Sequence, residues 1–434
     1  MSRIVVAGAG HGGLSAAYNL ARNGYDVTVF EKKQRADMGY DWADCMNPVT
    51  MNFIGMPMPK KDFFKPYVLN AFYDPSKTVK LDTGNREPVG SITYVERKPL
   101  LEYLMANAES AGVKLVFGVN VKSALVEGGK VCGITVEDAD GLRDERADLV
   151  IDSAGIDSPV RQSLPSYLGI QNIIKPQETF YVYRAYYDRK TDESLDPGYG
   201  VYFFHAGHKG IDWIICEEDF IDILVGCFGS ITEENIKESL DDFYAAYGFI
   251  GDKILRGGSC EKIPLRKTLP LLVSDGYALI GDGAAMTEPL SGSGINLSLR
   301  AGKILADVIV ESYAETFPKE FLWKYQYRYF KSMGEAQLNA DILKTALSAL
   351  DSDDIEALMK AKVLTAKEMF SLSDPYSVQD IIAKVKGLAG RRNVLPPFIK
   401  AAASMASIGT VRKLMPEKYD ASKFITWKKA YEKL

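Results

Sequence analysis

The sequence predicts an α/β protein with an inserted antiparallel β-sheet and a C-terminal helical region. Three observations predict it: a strand, glycine-rich turn, helix and strand open the chain, aromatic and β-branched segments fill its middle, and a proline-broken helical pattern follows. The 434 residues, 47% of them hydrophobic, suffice for two or three domains. We predict a discontinuous first domain (1–165 plus 262–325), an inserted β-rich domain (166–261) and a helical region (326–434).

Composition excludes several classes of protein. A formal net charge of −5 argues against nucleic acid as a partner. Five scattered cysteines and three histidines argue against a disulfide scaffold and a metal site, so we expect no metal. The apolar run 4–9 is too short for a signal peptide, and no stretch reaches the roughly 18 apolar residues of a membrane span. We expect a cytoplasmic protein in which a bound cofactor supplies the reactive group.

The first element is a βαβ unit. Residues 3–7 read as a buried strand, 14–23 as a helix, and 27–30 as a second strand that ends at Glu31. The turn between the first strand and the helix has Gly8, Gly10 and Gly13 at the three glycine positions of a dinucleotide-binding loop. A fourth glycine, Gly12, lies within the same loop. These allow a tight turn, close approach of a pyrophosphate and close packing of the helix, while Glu31 accepts the ribose hydroxyls. The unit predicts a Rossmann-like domain that binds an adenosine diphosphate moiety.

A second strand-to-helix corner lies far downstream. The predicted strand 277–280 delivers Gly281 and Asp282 to a turn that continues through Pro289, Gly292 and Gly294 into a helix. A carboxylate there can bind ribityl hydroxyls, and N–H groups from Gly294 to Asn296 can face the flavin pyrimidine. A nicotinamide dehydrogenase has no use for this second corner, so FAD is the predicted cofactor.

The two corners and the sheet between them resemble the flavoprotein fold of para-hydroxybenzoate hydroxylase-type monooxygenases and geranylgeranyl reductases over about residues 1–325. The reductase branch is more similar, through Ile263-Pro264-Leu265, the run Gly292-Ser-Gly-Ile-Asn296, and Cys45 after Gly39. In the family's middle motif Ala154, before Gly155, replaces an aspartate, which disfavours a monooxygenase-like encounter with NAD(P)H. Residues and resemblance together predict these cofactor-binding positions: Gly8, Gly10, Gly12, Gly13, Glu31, Arg97, Val121, Ala154, Gly155, Gly281, Asp282, Pro289, Gly292, Gly294, Ile295 and Asn296.

The resemblance implies an FAD-dependent oxidoreductase that reduces a carbon–carbon double bond of an apolar isoprenoid or lipid substrate. The alternatives are a monooxygenase on the same fold and a non-catalytic flavin protein that binds lipid surfaces. The electron donor stays open between NAD(P)H and ferredoxin. Cys45 is the candidate proton donor, with water and an inert buried thiol as alternatives. Tyr199, Tyr202, Phe203 and Phe204 are predicted to line an apolar pocket, although aromatics of such a sheet can equally be core.

Two further features have two interpretations each. His205 and His208 either protonate a substrate or cap a turn, and the turn is favoured. The stretch Arg391 to Leu434 holds ten Lys or Arg against three Asp or Glu. This basic stretch is either a peripheral contact with an anionic membrane or a solvated helix face.

Overall fold

The computed structural model describes residues 2–83, 92–191, 196, 198–366, 375–386 and 394–434. Its strands are β1 Arg3–Ala7, β2 Asp26–Glu31, β3 Ala43–Met46, β4 Lys65–Pro66, β5 Ala71–Tyr73, β6 Lys80–Asp82, β7 Thr93–Glu96, β8 Lys114–Phe117, β9 Asn120–Glu127, β10 Lys130–Asp138, β11 Gly141–Arg146, β12 Leu149–Asp152, β13 Thr179–Arg189, β14 Tyr199–Phe203, β15 Gly210–Cys216, β16 Ile221–Phe228, β17 Ile250–Pro264, β18 Val273–Ser274 and β19 Tyr277–Leu279. Its α-helices are α1 His11–Ala21, α2 Val49–Phe53, α3 Arg97–Ser110, α4 Pro159–Ser163, α5 Glu233–Ala246, α6 Ile295–Glu311, α7 Lys319–Tyr329, α8 Glu335–Ser348, α9 Ser352–Lys360, α10 Pro375–Lys386, α11 Leu395–Leu414 and α12 Ala421–Glu432. The predicted α/β class is confirmed.

A six-stranded sheet in the order β18-β19-β12-β1-β2-β8 forms the centre of the nucleotide-binding part. Its strands run parallel, except that β18 is antiparallel to β19. Ile4, Val5 and Val6 of β1 are fully buried, as expected of a central strand covered on both faces. This sheet brings the carboxyl ends of β1, β12 and β19 to one edge, where ligands of such sheets bind.

Helices α1 and α6 cross at a pair of glycines. A Cβ on Gly302 of α6 would clash with the Gly12 carbonyl, and a Cβ on Gly12 would lie 2.8 Å from the Ser298 carbonyl oxygen. The two helix backbones can approach this closely only because glycine, which has no Cβ, occupies both positions. The crossing therefore fixes the amino end of α1 beside that of α6.

The middle of the chain forms a seven-stranded sheet in the order β17-β13-β16-β15-β14-β5-β6. It is antiparallel except that β14 and β5 pair in parallel. Two of its strands, β5 and β6, come from the segment predicted for the first domain, and β17 continues past residue 261. The predicted insertion thus does not supply the whole sheet, and the division into domains stays a prediction.

Two small sheets complete the β structure of the described residues. One, in the order β11-β10-β9, is a hairpin sheet that contains most of the charged stretch 142–148 in its largely exposed strand β11. The other, in the order β3-β7-β4, lies at the border between the two large sheets, because Arg184 of β13 donates to the Ala43 carbonyl and the Tyr186 hydroxyl accepts from the Ala43 N–H. Strand β3 is thereby held against the seven-stranded sheet.

The C-terminal helices pack onto the main core. Trp323, Trp427 and Tyr431 are almost completely buried, and the Tyr431 hydroxyl donates to the Thr268 carbonyl at 2.6 Å. Within the described ranges, no helix combines the length and the apolar character needed to cross a bilayer.

Candidate active site

The glycine-rich loop after β1 packs tightly against the end of β12. Gly8 has φ +87°, and a Cβ there would lie 2.6 Å from the Ser153 carbonyl oxygen. The Gly13 N–H donates to Ser153 Oγ at 3.1 Å. Gly10, the cap residue of α1, has no side chain to cap the helix, so the N–H groups ahead of Gly13 and the positive end of the helix dipole can face an anion. Ala154 and Gly155 follow Ser153 directly and form the other wall of this corner.

Glu31 lies where the adenosine end of a dinucleotide is expected. Its side chain is 9% exposed, and its two oxygens accept from the N–H groups of Ala9 and Lys33, each at 2.9 Å. The Val119 N–H donates to the Glu31 carbonyl at 3.0 Å, which brings the start of β9, with Val121, to the same end of β2. The carboxylate is thus fixed on the glycine loop itself.

The second corner brings a carboxylate to the amino end of α6. Gly281, at φ +72°, turns the chain after β19, and a Cβ on Gly294, the cap residue of α6, would lie 3.3 Å from Asp282 Oδ1. Burial raises the pKa of Asp282, while the Arg97 guanidinium opposes that rise. Asn296 is engaged elsewhere, since its Oδ1 accepts from the Asn47 N–H and the Thr50 hydroxyl. Its side-chain oxygen is thus engaged by the segment 47–50, so the predicted flavin contact falls to its N–H groups.

A cavity of about 550 Å³ joins both corners to the seven-stranded sheet. It runs on to Leu347 of α8 and Ile355 of α9. The predicted residues that line it are Cys45, Arg97, Asp282, Pro289, Gly292, Gly294, Ile295, Asn296, Tyr199, Phe203 and Phe204. The predicted residues that do not line it are Gly8, Gly10, Gly12, Gly13, Glu31, Val121, Ala154, Gly155 and Gly281, which form or flank the corners. The cavity thus joins the second corner to the predicted aromatic pocket, and it reaches the first corner through His11.

Tyr202 is the exception among the predicted pocket residues, and its placement is a correction. It is fully buried on the opposite face of β14, stacked 4.5 Å from the Tyr73 ring and hydrogen-bonded to the Tyr247 hydroxyl. Alternation along the strand sends Tyr199 and Phe203 to the cavity and Tyr202 away from it. Phe204 also reaches the cavity because its φ of +47° breaks the alternation.

The site also contains ion pairs that the sequence motifs did not reveal. Asp44 Oδ2 lies 3.1 Å from Arg97 Nε, and Asp44 Oδ1 lies 3.5 Å from Arg184 Nη1. Arg184 itself pairs with Asp222 through two hydrogen bonds of 2.5 and 2.9 Å, and both side chains are 3% exposed. Asp44 thus links an arginine at the flavin corner to one in the sheet. The one signal in the sequence is a charged residue, Arg184, within an aromatic strand.

Cys45 lies among phenols at the border of the two sheets. It is directly opposite Tyr94 on β7, whose ring is 5.0 Å from that of Tyr67. Desolvation raises the pKa of the Cys45 thiol to about 12, and the neighbouring Asp44 carboxylate adds to that rise. The thiol therefore carries its proton at neutral pH and is not a thiolate nucleophile.

The histidines divide between the site and the opposite face of the sheet. His205 pairs through Nδ1 with Asp212 at 2.7 Å and through Nε2 with Asp242, and His208 pairs with Asp212 at 3.0 Å. Neither lines the cavity, so a role in protonating a substrate there is not supported. His11, the first residue of α1, does line it, and burial holds its pKa well below the ordinary value.

The residues present fit an FAD molecule. Two helix amino ends without side-chain caps, at Gly10 and Gly294, offer backbone N–H groups to anionic groups. Glu31 and Asp282 supply carboxylates for sugar and ribityl hydroxyls at positions separated by the glycine loop. A single extended dinucleotide with a ribityl chain satisfies both corners at once.

Comparisons with known proteins agree with this geometry. Residues 1–214 match the family model of an FAD binding domain. Digeranylgeranylglycerophospholipid reductase 2 of Methanopyrus kandleri is 25% identical over 393 residues, which cover 85% of this chain and 96% of that protein.

Solved structures share the fold. A geranylgeranyl bacteriochlorophyll reductase-like protein of Thermoplasma acidophilum superposes with a TM-score of 0.72 at 19% identity, covering 92% of this chain and 99% of that one. The anhydrotetracycline hydroxylase of Streptomyces rimosus has a TM-score of 0.61 at 20% identity, covering 88% and 75%. At these identities the structures establish the fold alone. Taken with the match to an FAD binding domain, this fold supports an FAD-dependent oxidoreductase whose sequence is similar to that of a digeranylgeranylglycerophospholipid reductase.

Proposed function

We propose that this protein reduces carbon–carbon double bonds in the isoprenoid chain of a lipid. The observation that carries the proposal is the shape of the cavity, which runs from the second corner along the aromatic face of the sheet to α8 and α9. Most of its wall is apolar or aromatic, including Phe180, Trp213, Leu347 and Ile355. A long apolar chain fits such a space better than a compact polar substrate. The relative from Methanopyrus kandleri is named for a substrate of the same class, a digeranylgeranylglycerophospholipid.

Different residues of the site bind the cofactor, exclude water and donate the proton. Glu31, Asp282 and the amino ends of α1 and α6 hold FAD, which supplies a hydride when bound and reduced. The aromatic wall excludes water and keeps the double bond at a fixed depth. Cys45 Sγ holds a proton that can be given to the carbon left without hydride. Water is the alternative proton source.

The test is anaerobic reduction of the purified protein followed by reoxidation with defined substrates. We expect polyprenyl lipids to reoxidise the flavin with gain of two hydrogen atoms per double bond, measured by mass spectrometry, and small aromatic acids to have no effect. A product that contains a new oxygen atom after admission of air would instead support the hydroxylase alternative. NAD(P)H and reduced ferredoxin, supplied separately, identify the electron donor.

We also propose that the basic C-terminal stretch contacts an anionic membrane. Residues 391–393 lie outside the described residues, but Lys400 and Lys413 of α11 and Lys429 of α12 are exposed. Because Trp427 and Tyr431 are buried in the core, a shortened chain is a poor probe of this contact. The variant Lys413→Glu/Lys429→Glu is the suitable one, and we expect it to weaken binding to anionic vesicles.

A further inference from the structure

A surface at one end of the cavity combines exposed apolar and cationic side chains. We call it the rim surface, and it consists of Val49, Phe53, Met58, Lys60, Lys61, Lys65, Pro66 and Ile92. We propose that the rim surface docks on an anionic lipid bilayer and opens the cavity towards it. The proposal rests on the proposed function, because it assumes a substrate that resides in a membrane.

Strand pairing brings both ends of the segment 47–66, which carries most of the rim surface, to the cavity. Thr93 of β7 lies opposite Met46 of β3 and Pro66 of β4. Its neighbour Ile92 therefore lies beside both flanking segments, at the edge of this small sheet. Ile92 lines the cavity and is also 39% exposed, so the cavity reaches the molecular surface here.

The apolar part of the rim surface projects into solvent. Val49 is 62% exposed, Phe53 42% and Met58 45%. Val49 and Phe53 are four residues apart in α2 and so lie on one face of that helix. Exposed apolar side chains grouped beside a cavity mouth indicate an interaction site more than single scattered ones do.

The charged part of the rim surface is mostly positive. Lys60, Lys61 and Lys65 are exposed, against Asp62 as the acidic residue of the same stretch. The Arg300 guanidinium adds a cation 4.5 Å from the Phe53 ring. Aromatic and aliphatic side chains with lysines around them are the composition that binds the interface of anionic membranes. Charge complementarity therefore selects a bilayer with anionic headgroups as the occupant.

Flotation of the full-length holoprotein with vesicles tests the proposal. We expect binding to phosphatidylcholine vesicles that contain phosphatidylglycerol, weaker binding to pure phosphatidylcholine, and loss of binding at high salt. Val49→Asp/Phe53→Asp and Lys60→Glu/Lys61→Glu should each reduce partitioning by about tenfold or more. The control Leu142→Asp/Lys122→Glu changes the same residue types on the exposed β9–β11 sheet and should bind like wild type.

A second measurement is independent of affinity. Val49→Trp should be quenched by vesicles with brominated acyl chains, whereas Leu142→Trp should not. Equal flotation of the rim variants and wild type, or absence of quenching at position 49, overturns the proposal. Loss of binding only in Lys413→Glu/Lys429→Glu overturns it too, in favour of the C-terminal helices.

Failure of docking and failure of the proposed function give different results. A protein that reduces a short, detergent-dispersed isoprenoid but does not bind vesicles retains its function without the docking surface. A protein that binds vesicles through the rim surface but reduces no isoprenoid retains the surface without the function. Lys60→Glu/Lys61→Glu should reduce the dispersed substrate at the wild-type rate, because neither lysine lines the cavity.

Discussion

Asp282 is the residue of the second corner that we propose binds the cofactor most directly, because its carboxylate lies beside the amino end of α6. We expect Asp282→Ala to raise the dissociation constant for FAD about tenfold or more, as loss of charge-assisted hydrogen bonds predicts. Fluorescence titration of the flavin-free protein measures it. Asp307→Ala, on the same helix as Gly294 but paired with Lys303, is the control. A folded Asp282→Ala protein with stoichiometric flavin contradicts the assignment.

The raised pKa of Cys45 predicts how the reactivity of its thiol depends on pH. With a thiol pKa of about 12, its alkylation by iodoacetamide at pH 8 should be about 100-fold slower or more than that of the exposed Cys260. Because folding raises this pKa, the thiol stabilises the folded state fully below its ordinary pKa near 9, and that contribution falls as pH rises towards 12. Peptide mass spectrometry after timed alkylation reads both cysteines in one sample.

Substitution of Cys45 tests whether its thiol or water gives the proton to the substrate. If Cys45 Sγ supplies the proton, Cys45→Ala should lower turnover about 100-fold while the rate of flavin reduction by its donor stays unchanged. Stopped-flow absorbance separates the two half-reactions. Unchanged reoxidation by substrate in Cys45→Ala assigns the proton to water.

Elements marked by a short sequence motif could be predicted from the sequence. Contacts that depend on strand register or on how strands pack could not. The loop Gly8 to Gly13 and the corner at Asp282 follow from glycine spacing next to a strand, because backbone approach requires glycine there. Tyr202 was wrongly placed because alternation gives two faces without saying which is inward. Asp44 and Arg184 meet only because hydrogen bonds between the Ala43 backbone and side chains of β13 hold β3 against that strand, and nothing near them in the sequence indicates that contact.

The crossing of α1 and α6 yields a prediction with an internal control. Gly302→Ala should destabilise the protein by about 1–3 kcal/mol and weaken FAD binding, since the added Cβ forces α6 away from the Gly12 carbonyl. Gly409→Ala, in α11 with open space around it, should instead be neutral or stabilise by about 0.5–1 kcal/mol. Chemical denaturation compares the two. Equal effects of both substitutions would show that the crossing tolerates a wider spacing.

At the scale of the whole molecule, the two large sheets and the C-terminal helices share one cavity. We propose that the first corner holds one end of the cofactor; the seven-stranded sheet supplies the aromatic wall of the cavity, and α8 and α9 close its far part. The C-terminal helices are in turn held by α12, through Trp427 and Tyr431 packed on Phe330. Activity thus depends on a segment remote from the cofactor motifs.

This dependence predicts the result of shortening the chain. A protein that ends at residue 390 loses Phe398, Trp427 and Tyr431 from the core. At about 200 Å² and 25 cal/mol per Å² for each ring, the loss approaches 15 kcal/mol as an upper bound, comparable to the whole stability of a typical domain at about 5–15 kcal/mol. We expect insoluble or flavin-free protein, measured by flavin content and thermal melting. Removal of only Lys433 and Leu434 should have a far smaller effect on both, because α12 ends at Glu432 and Leu434 is only partly buried against the core. A flavin-loaded, cooperatively melting protein that ends at residue 390 would show that the helices are a separable addition to the site.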